Sequence, residues 1–145
     1  MHIWRSSVVG FLALVTSSGA ILAGNQRSVN DCWHPGDPAR SIANCTRVLE
    51  DKSEPATGAR AYTYAGRGRA YLEKGDFEHA IEDFNEAIRL DPRLFFAYYW
   101  RGLSFFRMRD FDRAIAAFSD LIRVDIKPES PFALMALVAR GLRIA

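Results

Sequence analysis

The chain is poor in the residues from which most catalytic sites are assembled. Its 145 residues hold three histidines and two cysteines. The histidines are scattered, at His2 near the start, His34 in a polar stretch and His79 beside charged Glu78. No nucleophile can be paired with a base in a recognisable pattern, so the chain is expected not to be an enzyme. No glycine-rich phosphate loop occurs either. Gly66-Arg67-Gly68-Arg69 falls inside a helical pattern, where such loops do not form. No cofactor is therefore implied. A dominant charge is also missing: 19 basic and 17 acidic residues leave a formal charge of +2. That excess is too small to point to nucleic acid. Acids and bases alternate along the helical stretches, as a solvated surface does. With 49% apolar and 25% charged residues, the balance is that of a globular domain able to bury a modest core.

A long hydrophobic run is absent as well. Residues 8–15 are apolar apart from Gly10, with Arg5 ahead of them. Small residues follow at Ser17, Ser18, Gly19, Ala20 and Ala23. This is the layout of a secretory signal peptide covering residues 1–23, cleaved after Ala23 or Ala20. The alternative is an uncleaved membrane anchor, for which the stretch is short and diluted by Thr16 and the serines. Both readings put the rest of the chain outside the cytoplasm, periplasmic or secreted. Membrane association is expected only if the segment stays.

What the chain does have is one unit written twice. Tyr64, Gly68, Tyr71, Ala80, Phe84, Ala87 and Pro92 form the first copy. Tyr98, Gly102, Phe105, Ala114, Phe118 and Leu121 follow, each 34 residues after its counterpart. A fixed period of this length is the sign of a helix–turn–helix solenoid. Tyr64, Gly68 and Tyr71 share one face of a first helix, and Ala80, Phe84 and Ala87 one face of a second. The small Gly68 and Ala80 let the backbones approach, and the aromatic residues fill the space around the crossing. Gly75-Asp76 ends the first helix, with Asp76 as N-cap of the second, and Asp91-Pro92 stops that one.

These residues resemble the tetratricopeptide repeat (TPR) family, whose units carry a large residue, Gly, an aromatic, Ala, an aromatic, Ala and Pro in this order. The second copy departs from it at Leu121 and at Ile126, where Pro is expected and Pro128 follows. The resemblance implies an all-α solenoid of about two and a half repeats. After a lead-in at 24–36, the domain spans 37–145. It divides into a half repeat at 37–54, repeats at 55–92 and 93–128, and a capping helix at 131–144. Helices are expected at 38–50, from near 55 to 74, and at 77–90, 93–107, 111–124 and 132–143. The half repeat supplies only a second helix, opened by Asp37 and Pro38. The last helix echoes the start of a third unit through Leu137, Arg140, Gly141 and Ile144, and covers the end of the stack.

An even cysteine count in an exported chain favours a disulfide, Cys32 to Cys45, pinning the lead-in to the first helix. A metal held by Cys32, His34 and Cys45 is the alternative, three ligands lacking a fourth.

In the family, the first helix of each unit lines a concave groove. The matching positions here are Tyr62, Ala65, Arg69, Leu72 and Glu73, then Phe96, Tyr99, Leu103, Phe106 and Arg107. The resemblance thus implies a non-catalytic scaffold or adaptor that binds a peptide segment of a partner protein. The binding residues would be Tyr62, Arg69, Phe96, Tyr99, Leu103, Phe106 and Arg107. Some TPR proteins grip a terminal carboxylate with Lys, Asn and Arg at these positions, and that set is missing. Tyr99 is alternatively buried beneath the last helix. The second functional class is a self-associating structural subunit, a homo-oligomer. It would use the final helix, which is apolar on most sides through Phe132, Leu134, Met135, Leu137, Val138, Leu142 and Ile144.

Overall fold

The computed structural model describes residues 32, 34, 36–51, 57–124, 137, 138 and 141. Among the described residues five complete helices follow one another: α1 (Pro38–Glu50), α2 (Thr57–Lys74), α3 (Phe77–Leu90), α4 (Phe95–Arg107) and α5 (Phe111–Arg123). The described residues contain no strand. Each helix packs on the next, and α2 also touches α4. The chain is thus an all-α, TPR-like helical solenoid, with α2–α3 and α4–α5 as its two helical hairpins. The expected segments at 1–23 and 125–130 lie outside the described residues. So does the last helix, apart from Leu137, Val138 and Gly141, which are helical.

Local chemistry sets the boundaries. Asp37, Asp76 and Asp110 are N-caps whose carboxylates accept the backbone N–H of Arg40 (3.0 Å), His79 (3.4 Å) and Arg113 (3.1 Å). Each satisfies an amide that the first helical turn leaves unpaired. The helix expected from 93 begins at Phe95 instead. The Asp91 carboxylate accepts the Arg93 N–H at 3.0 Å, and the Asp91 carbonyl accepts that of Leu94 at 3.1 Å. Those bonds hold a turn where the helix was expected to start. Both hairpins reverse through a left-handed residue. Gly75 adopts φ 80°, and one period later Arg109 adopts φ 63°.

The crossing inside each hairpin depends on a missing side chain. A Cβ built on Gly68 would lie 3.0 Å from the Phe84 ring and 3.1 Å from the Ala80 carbonyl oxygen. On Gly102 it would meet the Phe118 ring at 2.7 Å. Two clusters result. One gathers Ala61, Ala65, Leu72, Ala80, Phe84, Ala87, Leu94 and Ala97. The other gathers Tyr98, Tyr99, Ala114, Phe118 and Leu121, with Ile88, Trp100 and Leu103 packed against both. Leu121, the departure from a small residue, is fully buried.

A polar joint crosses the first cluster. Arg67 donates from Nε and Nη2 to both Asp83 oxygens at 2.8 Å, and from Nη1 to Thr46 Oγ1 at 3.1 Å. One guanidinium therefore ties α1, α2 and α3. The hydrogen bond to Asp83 raises the Arg67 pKa. Burial pushes the Asp83 carboxyl up, with Arg67 opposing the shift. One period later Arg101 reaches Asn85 and Asp120, both at 3.1 Å, and ties α3, α4 and α5. Ala117 stands where Asp83 did, and the buried Arg101 Nε is left without an acceptor.

Cys32 and Cys45 are disulfide-bonded, with Cα atoms 5.0 Å apart, and both are buried. The lead-in is held on α1 and α2 at this point. The Cys32 sulfur lies 3.8 Å from the Thr63 carbonyl oxygen. The Ser41 hydroxyl lies 3.1 Å from the His34 carbonyl and 3.0 Å from that of Asp37.

Candidate functional site

The two first helices of the hairpins, α2 and α4, run beside each other and carry the residues expected to line a groove. Tyr62 on α2 is 44% exposed, and its ring sits 5.4 Å from that of Phe96 on α4. Phe95 packs edge-on against Phe96 at 5.8 Å. Two turns further along α2, Arg69 donates to Glu73 at 3.1 Å, and its guanidinium lies 5.3 Å from the centre of the Trp100 ring. Cation–aromatic contacts of this kind hold a long side chain against a face at little cost in solvation. Tyr62, Phe96, Arg69 and Trp100 thus form a band joining α2 to α4. Leu103 is half-buried between the two core clusters.

The other expected residues are placed elsewhere. Tyr99 is 8% exposed and turns into the second cluster, its ring 6.2 Å from Phe118 and 5.0 Å from Trp100. Burial raises its phenol pKa. Phe106 and Arg107 are exposed at the far end of α4. Phe106 meets Phe111 across the α4–α5 turn, with ring centres 5.6 Å apart. The groove positions therefore do not form one continuous strip. Trp100 belongs to the band and was not among the expected residues. It lies four residues after Phe96 and three before Leu103, so helical spacing from Phe96 alone would have placed it on that face.

A cleft of about 160 Å³ adjoins the band, lined by Cys32, His34, Ser41, Gly66, Arg69, Ala70 and Glu73. Arg69 and Glu73 border both the cleft and the α2–α4 face. Among the described residues no three His, Cys, Asp or Glu side chains group as a metal site. His79 approaches Asp76 at 2.7 Å through Nδ1 and stacks on Tyr71 at 5.2 Å. The hydrogen bond to Asp76 raises the His79 pKa and lowers that of Asp76. This pair closes a helix cap on the solvent side.

Comparison with known proteins matches the repeat directly. The TPR repeat model covers residues 68–108 and the tetratricopeptide repeat model covers 96–124. No curated protein matches the chain. The fold is similar to the second TPR domain of the human RPAP3 protein, solved in complex with HSP70 peptide SGPTIEEVD. That likeness has 22% identity, 85% of this chain, 94% of that one and a TM-score of 0.66. It is also similar to the TPR2B domain of yeast Sti1 in its complex with pHsp70, at 17% identity, 82% and 92% coverage and a TM-score of 0.67. The Sgt2 TPR domain from Aspergillus fumigatus aligns at 24% identity, over 84% of this chain and 78% of that one, with a TM-score of 0.69. The 34-residue period, the glycine crossings and the two matched repeat models agree that residues 68–124 carry tetratricopeptide repeats, folded as in the TPR domains above.

Proposed function

We propose that the protein is a non-catalytic interaction module that seats a peptide segment of a partner protein against the α2–α4 face. The observation that carries this reading is the band of Tyr62, Phe96, Arg69 and Trp100, with Tyr62 44% exposed at its edge. Tyrosine, tryptophan and arginine side chains gathered on one face are the composition of energetic centres in interfaces. The structures with HSP70 peptides support the same use of the fold in other proteins. Lacking the Lys, Asn and Arg set, this chain would grip side chains along a segment rather than a terminal carboxylate. Panning a displayed peptide library against the chain tests the reading. Selected peptides should bind Tyr62→Ala at least about tenfold more weakly, with the melting temperature unchanged. Peptides that bind Tyr62→Ala as well as the parent would overturn it.

Export is part of the same proposal. The signal-like layout of 1–23 supports it, as does the Cys32–Cys45 disulfide, which persists in oxidising compartments. Intact mass of the exported protein checks both features at once. A second reading, self-association through the final helix, is supported by Leu137 and Val138, exposed at 49% and 58%. Sedimentation should then show a dimer that Leu137→Glu dissociates.

A further inference from the structure

The two hairpins can be compared position by position, and their turns differ in one consistent direction. Leu72, Glu73 and Gly75 close the first turn; Phe106, Arg107 and Arg109 stand 34 residues later. Leu72 is 6% exposed, whereas Phe106 is 39% exposed. Its ring neighbour Phe111 is 49% exposed. At Gly75 the left-handed conformation is free of steric penalty, while Arg109 holds φ 63° against one. The first hairpin closes without exposed rings or a strained arginine, so the repeat does not need them. Charge is arranged in the same sense. Arg107 and Arg109 are exposed, and neither holds an ion pair among the described residues. The nearby acids are engaged: Asp110 caps α5 and pairs with Arg113, and Asp112 has its own partner within the chain. The tip of the α4–α5 hairpin therefore presents two paired apolar rings, with Arg107 and Arg109 exposed in the same short turn.

We propose that this tip docks on an anionic lipid surface. Phe106 and Phe111 enter the boundary between headgroups and acyl chains, and Arg107 and Arg109 meet the lipid phosphates. A peptide needs a seat that surrounds its side chains, but here the rings stand at a chain reversal. A fluid lipid interface accepts that shape and supplies negative charge for the two exposed arginines of the turn. Contact is peripheral, because no described helix is long and apolar enough to cross a membrane. The inference goes beyond the peptide-binding reading and does not depend on the Tyr62–Phe96 band.

Co-sedimentation of the full chain with vesicles tests it, using phosphatidylcholine alone and an equal mixture with phosphatidylglycerol. The N-terminal segment is common to all variants, so differences between variants report the tip. Arg109→Gly and Arg107→Gln should each lower partition onto the anionic vesicles about fivefold, the equivalent of roughly 1 kcal/mol per cationic side chain. Phe106→Ser with Phe111→Ser should lower it at least about tenfold. Arg109→Gly should melt no lower than the parent, which separates loss of docking from loss of fold. Unchanged partition in all these variants would overturn the proposal. So would variants that lose panned peptides while keeping vesicle partition, since that result assigns the tip to a protein partner.

Discussion

At Gly68 the difference between a hydrogen atom and a methyl group decides whether two helices can touch. The Ala80 carbonyl oxygen, 3.1 Å from the added Cβ, belongs to backbone and cannot swing away. Gly68→Ala is expected to destabilise the fold by about 1–3 kcal/mol, read as a lower denaturant midpoint. The paired arginines make a second argument at this scale. Arg67 has the Asp83 carboxylate, while Arg101 faces Ala117 with a buried Nε unsatisfied. Ala117→Asp would give Arg101 the partner that Arg67 has. It should therefore change stability by less than about 1 kcal/mol in the parent, yet cost about 3 kcal/mol in an Arg101→Met background, where the new carboxylate is buried alone. Equal effects in both backgrounds would show that the two arginines are not equivalent. His79 supplies a pH argument. Its folded pKa is raised by the hydrogen bond to Asp76, so the stabilisation is fully present below the ordinary value of 6.5 and is lost as pH rises through the raised pKa. An NMR titration should place its midpoint above 6.5, and Asp76→Asn should lower it. The side chain is exposed, so the effect on global stability is small.

At the level of the helical element, the two hairpins carry out the same reversal with different residues. Gly75 and Arg109 occupy equivalent left-handed positions, and an L side chain there costs about 1–2 kcal/mol. Arg109→Gly removes that penalty but adds freedom to the unfolded chain, which offsets part of the gain. The net expectation is a stabilisation of about 0.5–1 kcal/mol, visible as a higher midpoint of thermal unfolding. A lower midpoint would mean that the Arg109 side chain holds a contact that outweighs its strain. The aspartate caps matter to both hairpins, because each helix is short and its first amides are otherwise open.

For the molecule as a whole, the weak point of a short stack is its end. The first helix of the half repeat has no counterpart among the described helices, and the lead-in sits on α1 and α2 through Cys32 and His34. The disulfide closes a short loop and restricts the unfolded chain. Replacing both cysteines by serine should cost about 2–3 kcal/mol and speed proteolysis ahead of α1. A variant that resists protease as the parent does would show that packing alone holds the lead-in.

The sequence by itself determined the fold family and most element boundaries, because the 34-residue period, the aspartate caps and the breaking glycine act locally. It also favoured a Cys32–Cys45 disulfide over a metal held with His34, and the structure holds the disulfide. Membership of the expected groove set did not separate outward-facing from inward-facing residues: Ala65 and Tyr99, one period apart, are both buried, whereas Tyr62 is exposed. Tyr62 and Tyr99 both carry groove positions, yet one is exposed and the other packs on Phe118. That choice depends on which neighbouring helix supplies a cavity for the ring. The use of Trp100 beside Arg69, and the Phe106–Phe111 pair at the tip, likewise join residues on different helices. Helical spacing describes one helix at a time, so only the packing of α2, α4 and α5 could bring these side chains together.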